Sequence, residues 1–203
     1  LYLTKASTIK VGRSKYMVNL REDGMVLDDG IVLRLAPDRF IATTSSGHGA
    51  HMLSHFEHYR DTEWAGRAVA VTDVTEAWGV IVVAGPRSRE ALGRVLGADW
   101  ASAIGGLSHM AFAQGTHAGH ALTVLRASFS GELAFELHCR PAITVALWEA
   151  LEKAGAPHGI APVGLASALA NTATMRFVCA SLGAPSNASP ALRSAARTPS
   201  ASI

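Results

Sequence analysis

Apolar and polar positions in the first part of the chain form short runs that predict β-structure. Residues 25–29 (MVLDD) and 31–35 (IVLRL) are predicted as two strands around a tight Asp-Asp-Gly turn, where Gly30 supplies backbone freedom. Residues 39–44 (RFIATT) follow a second turn and are predicted to return as a strand. Residues 31–44 are therefore predicted to form a hairpin.

Three stretches have the spacing of apolar positions that is typical of helices. The first predicted helix covers residues 48–59, behind an N-cap at residues 45–47 (SSG). The second covers residues 85–96 and opens with Gly-Pro, because proline suits the first turn of a helix. The third covers residues 141–154, where a proline again stands at the start.

Further β-branched and apolar runs predict the remaining strands. They lie at residues 67–74, 78–84, 109–114, 121–128 and 133–139. The order of strand pairs, helix, strand pair, helix, strand meander and helix predicts an α+β fold, with largely antiparallel sheets and flanking helices.

The chain changes character beyond residue 165. Residues 180–203 are nearly all Ala, Ser, Pro and Arg, and they hold too little apolar surface to offset the entropy of ordering. We therefore predict a folded part over residues 1–165 and a disordered Ala/Ser/Pro-rich tail over residues 166–203. The first residue is Leu1 rather than Met, so we expect a fragment of a longer protein.

Charge and cysteine usage argue against several classes of partner. The formal net charge is +2 and the basic residues are scattered, which argues against binding to nucleic acid or to a membrane surface. No apolar run has the length of a membrane span, and the N-terminus lacks the apolar segment of a signal peptide. Cys139 and Cys179 are expected to be packing residues in a reducing compartment, so a cytoplasmic location is predicted.

The candidate chemistry centres on two adjacent carboxylates, Asp28 and Asp29. Alternation along a strand sends them to opposite faces, so that one can point toward a ligand while the other caps the turn. A buried carboxylate can pair with a cationic intermediate or accept a proton from an amine. Asp-Asp-Gly is also simply a good turn sequence, and the residues alone leave both interpretations open.

A row of histidines is a rival candidate, because their spacing places them on one face of the first predicted helix. Histidines four residues apart on a helix can bind zinc. However, Met52 occupies the position at which a zinc protease carries its glutamate. Exposed histidines on a polar face are the simpler interpretation, and no metal is predicted. The four residues are His48, His51, His55 and His58.

Residues 12–35 (GRSKYMVNLREDGMVLDDGIVLRL) resemble a folate-binding domain found in three groups of proteins. These groups are the glycine-cleavage T-protein, the dimethylglycine dehydrogenases and the α subunit of heterotetrameric sarcosine oxidase. Residues 76–86 (EAWGVIVVAGP) and 128–136 (SFSGELAFE) resemble two further family motifs in the same order, with Ala134 where the family usually has Gly. The REDG and DDGIV forms, followed by Thr-Thr-Ser, look most like sarcosine oxidase α.

This resemblance implies a partial T-protein-like folate-binding domain that transfers a one-carbon unit to tetrahydrofolate. Asp28 matches the catalytic carboxylate beside the reacting one-carbon unit, and Tyr16 matches an aromatic residue that lines the folate pocket. Glu136 matches the acid that hydrogen-bonds the pterin ring. Phe129 and Glu132 lie in the loop before it and are expected to shape the same pocket.

The chain departs from the family pattern at both ends. We expect the family's opening strand–helix portion to be missing, and residues 162–164 (PVG) are not followed by the family's Arg-x-Glu-Lys-Gly segment. Arg176 is the candidate remnant of the folate-contacting arginine in that segment. A reading-frame shift near residues 165–178 would explain the change of composition and is our hypothesis for the tail.

Three functions remain open on this evidence. The first is the folate-binding part of sarcosine oxidase α, with the other subunits as partners and with FAD, FMN and NAD bound only in the rest of the full enzyme. The second is a T-protein-like aminomethyltransferase of glycine cleavage. The third is a truncated, non-catalytic remnant that binds folate or docks a subunit.

Overall fold

The computed structural model describes residues 1–163 and the backbone of Arg176–Val178. The chain divides into two compact units, Leu1–Thr75 and Glu76–Ile203, which we call the first and the second unit. Apart from Arg176–Val178, the predicted tail at residues 166–203 lies outside the described residues, as does Cys179. The division of the chain into a folded part and a disordered tail therefore stays a prediction.

The first unit contains one three-stranded antiparallel sheet and one helix. The strands follow the order β1-β2-β3 in the sheet. They are β1 (Arg13–Leu20), β2 (Val26–Ala36) and β3 (Arg39–Ala42), and the helix is α1 (Gly49–Thr62). The pairing of β2 with β3 confirms the hairpin predicted over residues 31–44, and α1 confirms the first predicted helix.

The predicted Asp-Asp-Gly turn is wrong, because residues 26–36 form one continuous strand. Asp28, Asp29 and Gly30 pair in unbroken register with residues 17–19 of β1. Gly30 is needed for close approach rather than for a turn, since a Cβ at this position would overlap the backbone carbonyl of Thr43.

Two further local predictions are wrong. Helix α1 has His48 as its N-cap residue and receives no side-chain capping hydrogen bond, so residues 45–47 do not cap it. Residues 67–74, which the apolar pattern predicts as a strand, form no strand among the described residues, and Val69 and Val74 are exposed. A β-branched run becomes a strand only where a neighbouring strand and a buried face receive it.

The second unit is built on a six-stranded sheet with the order β5-β6-β7-β4-β9-β8. All its pairings are antiparallel except that of β8 with β9. The strands are β4 (Gly79–Ala84), β5 (Phe112–His117), β6 (His120–Leu125), β7 (Ala134–Cys139), β8 (Ala161–Val163) and β9 (Arg176–Val178). The helices are α2 (Ser88–Leu96), α3 (Ala98–Gly105) and α4 (Pro141–Gly155).

Most predicted elements of the second unit are confirmed, since the two predicted helices correspond to α2 and α4, and the strands at residues 78–84, 121–128 and 133–139 correspond to β4, β6 and β7. The predicted start of the first of these helices is wrong, because α2 begins at Ser88 behind Arg87 and Pro86 precedes its first turn. Strand β6 ends at Leu125.

The strand predicted at residues 109–114 begins only at Phe112, because Met110 has a left-handed backbone with φ of 60°. Helix α3 was not predicted. Its apolar signal is short, since only Trp100 and Ile104 are buried within it.

The core of the second unit lies between one face of the six-stranded sheet and helices α2, α3 and α4. Alternate residues of β7, namely Phe135, Leu137 and Cys139, are fully buried there. The arrangement confirms an α+β fold of largely antiparallel sheets with flanking helices. Among the described residues, no helix is long and apolar enough to cross a membrane.

Candidate functional site

Asp28 lies on the buried face of the first unit's sheet and is only 5% exposed. Both its carboxylate oxygens accept the backbone N–H of Ser45 at 3.2 Å. His48 places its Nδ1 3.5 Å from Oδ1 of the same carboxylate. A buried carboxylate is tolerated only with such partners, and these connect β2 to the segment that leads from β3 into α1.

Other buried polar groups surround this carboxylate. Asn19 is 1% exposed and lies directly opposite Asp28 in the register of β1 and β2. The backbone of Tyr2 pairs with that of Asn19 in an isolated antiparallel β-bridge. Burial, and after it the negative charge of Asp28, raises the pKa of Tyr2 to about 12, so its phenol stays protonated at neutral pH. Asp28 thus lies among buried polar groups of the first unit.

Asp29 lies on the opposite face of the same strand, as alternation predicts. The hydroxyl of Tyr16 donates a hydrogen bond to its Oδ2 at 2.5 Å. Tyr16 is 54% exposed and Asp29 is half-buried, so both groups are within reach of a small molecule. The hydrogen bond to Asp29 is the main cause that raises the pKa of Tyr16.

The first unit therefore brings Tyr16 together with Asp29, while the folate-pocket role that the resemblance implies for Tyr16 stays a prediction. Which carboxylate Tyr16 contacts depends on strand register. Val18 is opposite Asp29 and Tyr16 is opposite Ile31, so Tyr16 and Asp29 are diagonal neighbours on one face. Alternation within β1 and β2 was the available signal, but it points to this pair only once the register is known.

In the second unit, Glu136 lies on β7 between Val82 of β4 and Leu125 of β6. Its carboxylate oxygen Oε2 is 3.1 Å from Nε2 of His138, and the His138 side chain is 10% exposed while that of Glu136 is 22% exposed. No family motif in the sequence points to His138. The signal for it was the spacing of two residues along a strand, which places His138 on the same face as Glu136.

The three remaining predicted residues of the second unit lie in the loop before β7 and on strand β9. Phe129 and Glu132 belong to the loop between β6 and β7, and Phe129 is 70% exposed while Glu132 is half-buried. Arg176 is the first residue of β9 and pairs with Ala84 of β4. Their roles in a folate pocket stay predictions.

Three of the four histidines, His51, His55 and His58, lie on α1, whereas His48 is its N-cap residue and lies beside Asp28. Among the described residues, no group of three or more His, Cys, Asp or Glu side chains is arranged to hold a metal ion. His55 packs its ring edge-on against Tyr59, with ring centroids 5.0 Å apart. Burial, followed by the charge of neighbouring groups that include His51, lowers the pKa of His55.

Comparisons with known proteins agree on one family. The family model described as the GCVT N-terminal domain matches residues 1–178. The sarcosine oxidase subunit alpha of Corynebacterium sp. (strain U-96) is 37% identical over 165 residues, which cover 81% of this chain and 17% of that protein. The aminomethyltransferase of Streptomyces avermitilis is 36% identical over 160 residues, which cover 78% of this chain and 41% of that protein.

A solved structure shows the same fold. The crystal structure of glycine cleavage system aminomethyltransferase T from Bartonella henselae matches with a TM-score of 0.58 at 22% identity, over 74% of this chain and 38% of that chain. The chain thus spans less than half of the length of each of these relatives. Because the family model covers most of its residues, the chain belongs to the GCVT N-terminal domain family.

Proposed function

We propose that this chain is the tetrahydrofolate-binding, one-carbon-transfer part of a protein that resembles sarcosine oxidase α. The proposal is supported by family membership, by the REDGMVLDDGIV motif and by the relative of 37% identity whose name is sarcosine oxidase subunit alpha. In this proposal the one-carbon unit comes from the oxidation of sarcosine. The flavin and nicotinamide sites and the other subunits would belong to the rest of a larger enzyme.

The observation that carries the chemistry is the accessible pair formed by Tyr16 and Asp29. When bound, tetrahydrofolate supplies the amine nitrogen that takes up the one-carbon unit. The Asp29 carboxylate then accepts the proton that this nitrogen sheds, while the Tyr16 hydroxyl holds its Oδ2 in place.

Asp28 is the residue to which the resemblance assigns the catalytic role. Its burial and hydrogen bonds support a positioning role instead. Its oxygens already accept the Ser45 N–H, and it is 5% exposed. We propose that Asp28 fixes β2 and the segment after β3, and so positions Asp29. Glu136 is proposed to accept N–H groups of the pterin ring, with Phe129, Glu132 and Arg176 as further folate contacts on the strength of the resemblance alone.

Aminomethyl transfer in glycine cleavage is the second candidate. It is favoured by the aminomethyltransferase of 36% identity and by the fold shared with aminomethyltransferase T. The amine that donates the one-carbon unit distinguishes the two candidates. Sarcosine oxidation delivers a formaldehyde-level unit, whereas glycine cleavage requires an aminomethyl group carried on a protein.

Calorimetric titration of the 203-residue chain with tetrahydrofolate tests the proposal. We expect saturable binding, and we expect formation of 5,10-methylenetetrahydrofolate to be accelerated when formaldehyde is added. Asp29→Asn should slow this acceleration by about 100-fold, the order expected for loss of a general base. Asp38→Asn, an exposed carboxylate in the turn between β2 and β3, is the matched control and should change nothing.

The same measurement with Asp28→Asn decides between the two adjacent carboxylates. A loss confined to Asp28→Asn, with Asp29→Asn unaffected, would return the catalytic role to Asp28. A chain that binds no tetrahydrofolate would overturn the proposed function. Binding without any acceleration would identify a non-catalytic folate-binding domain.

A further inference from the structure

His138 is a buried imidazole that the family motif does not account for. It lies two residues after Glu136 on the central strand β7, and its Nε2 is 3.1 Å from Oε2 of Glu136. An ionised carboxylate has only acceptor atoms, so at this distance the imidazole must carry the hydrogen on Nε2 and donate it. The described pairing is therefore Nε2–H to Oε2.

The neighbouring strands β4 and β6 place no hydrogen-bonding side chain directly opposite Glu136 that could replace His138. Glu136 is flanked by the apolar side chains of Val82 and Leu125, which cannot orient a carboxylate by hydrogen bonding. His138 is flanked by Val80 and by Thr123, whose hydroxyl accepts a hydrogen bond from Gln114 at 3.3 Å. In the part of the chain that the structure describes, His138 is the side chain that hydrogen-bonds Glu136.

The contact between His138 and Oε2 of Glu136 affects what the other carboxylate oxygen, Oε1, can do. A glutamate has three rotatable side-chain bonds, and ordering them on binding opposes affinity. With Oε2 engaged by His138, Oε1 is left to accept a hydrogen bond, and the carboxylate plane is set before a ligand arrives. A planar heterocycle with N–H donors at its edge suits such a preset acceptor.

We propose that His138 is a positioning residue that orients the Glu136 carboxylate for the N–H donors of the pterin ring of tetrahydrofolate. The proposal rests on the proposed function, because it assigns Glu136 the same ligand. It adds that affinity depends on an imidazole that does not itself touch the ligand.

A double-mutant cycle on tetrahydrofolate affinity tests this role. His138→Leu should weaken binding about tenfold, as expected for loss of a hydrogen bond to a charged group. His138→Gln keeps an N–H donor and should weaken binding by less than about threefold. In the Glu136→Gln background, His138→Leu should add almost nothing, because its effect passes through Glu136. His120→Leu, on β6 of the same sheet, is the matched control and should leave the affinity unchanged.

Nitrogen NMR of the imidazole provides a second readout on the unliganded chain. We expect the His138 Nε2 signal to be that of a nitrogen that carries hydrogen, and an Nε2 without hydrogen would overturn the proposal. Additive losses in the cycle would also overturn it, since a structural role weakens binding in either background. If the unmutated chain binds no tetrahydrofolate, both the proposed function and the proposed role of His138 toward this ligand are overturned. Binding with additive losses removes the role of His138 alone.

Discussion

The two units of the molecule bury different kinds of side chain. The second unit has a cluster of sixteen buried apolar residues, with three from β7 at its centre. In the described part of the first unit, Ile9, Met17 and Val32 form a smaller cluster, and Leu33 and Met52 are buried as well. The first unit instead buries the carboxylate of Asp28 and the amide of Asn19. Apolar burial therefore contributes most of the stability of the second unit, whereas the first unit also encloses polar groups, of which Asp28 is hydrogen-bonded and the Asn19 amide, among the described residues, is not.

The same contrast applies to the candidate acids. Asp28 is enclosed and held by a backbone N–H of its own unit, and its neighbour Asp29 presents a carboxylate with one phenol partner. Glu136 lies on β7 opposite the apolar residue Val82, and its carboxylate contacts the imidazole of His138. An accessible acid supported by one side chain is the arrangement that a ligand can use, because the remaining acceptor positions stay open.

The largest effect is expected from the apolar core of the second unit. Phe135→Ala removes a ring that is fully buried, and we expect it to lower the free energy of unfolding by about 3–5 kcal/mol. Phe129→Ala is the matched control, because that ring is 70% exposed and its loss should change stability by less than about 0.5 kcal/mol. Urea unfolding followed by tryptophan fluorescence measures both. Equal losses would show that the cluster around β7 is not the source of stability.

A smaller effect is expected from the polar cluster of the first unit. Asp28→Ala leaves the Ser45 N–H without its acceptor, and we expect a loss of about 1–3 kcal/mol in the free energy of unfolding. Asp29→Ala should cost less than about 0.5 kcal/mol, because water can replace it as the partner of the exposed Tyr16 hydroxyl. Hydrogen exchange of the Ser45 amide reports the first variant directly. Unchanged protection in Asp28→Ala would contradict the hydrogen bond between the Ser45 amide and the Asp28 carboxylate.

The sequence predicts those features that depend on local periodicity. The helix at residues 141–154 and the strand at residues 133–139 have clear apolar spacing, and both are present. Alternation also places Asp28 and Asp29 on opposite faces. Gly30 misleads, because a glycine permits a turn and a close backbone approach equally well, and only the position of Thr43 decides between them.

The partners of the candidate acids could not be predicted in the same way. The contact between Tyr16 and Asp29 depends on the register of β1 and β2, which no single strand encodes. The role of His138 depends on the apolar neighbours that β4 and β6 supply to β7. Such contacts join residues distant in the chain, so local spacing gives candidates and tertiary pairing selects among them.

The smallest effect, and the sharpest test of how the first unit treats polar groups, concerns His55. Burial lowers its pKa below the ordinary value of 6.5, so the unfolded chain takes up this proton more readily than the folded one. Stability contributed by the neutral ring is therefore complete above pH 6.5 and is lost as the pH falls toward the lowered pKa. His55→Leu should flatten the fall in melting temperature between about pH 7.5 and about pH 5.5. His117→Leu, on β5 of the second unit, should leave that slope as it is in the unmutated chain, because His117 is not among the groups that lower the pKa of His55. If both variants keep the full slope, the proton uptake of unfolding belongs to other histidines and α1 does not shield the His55 ring.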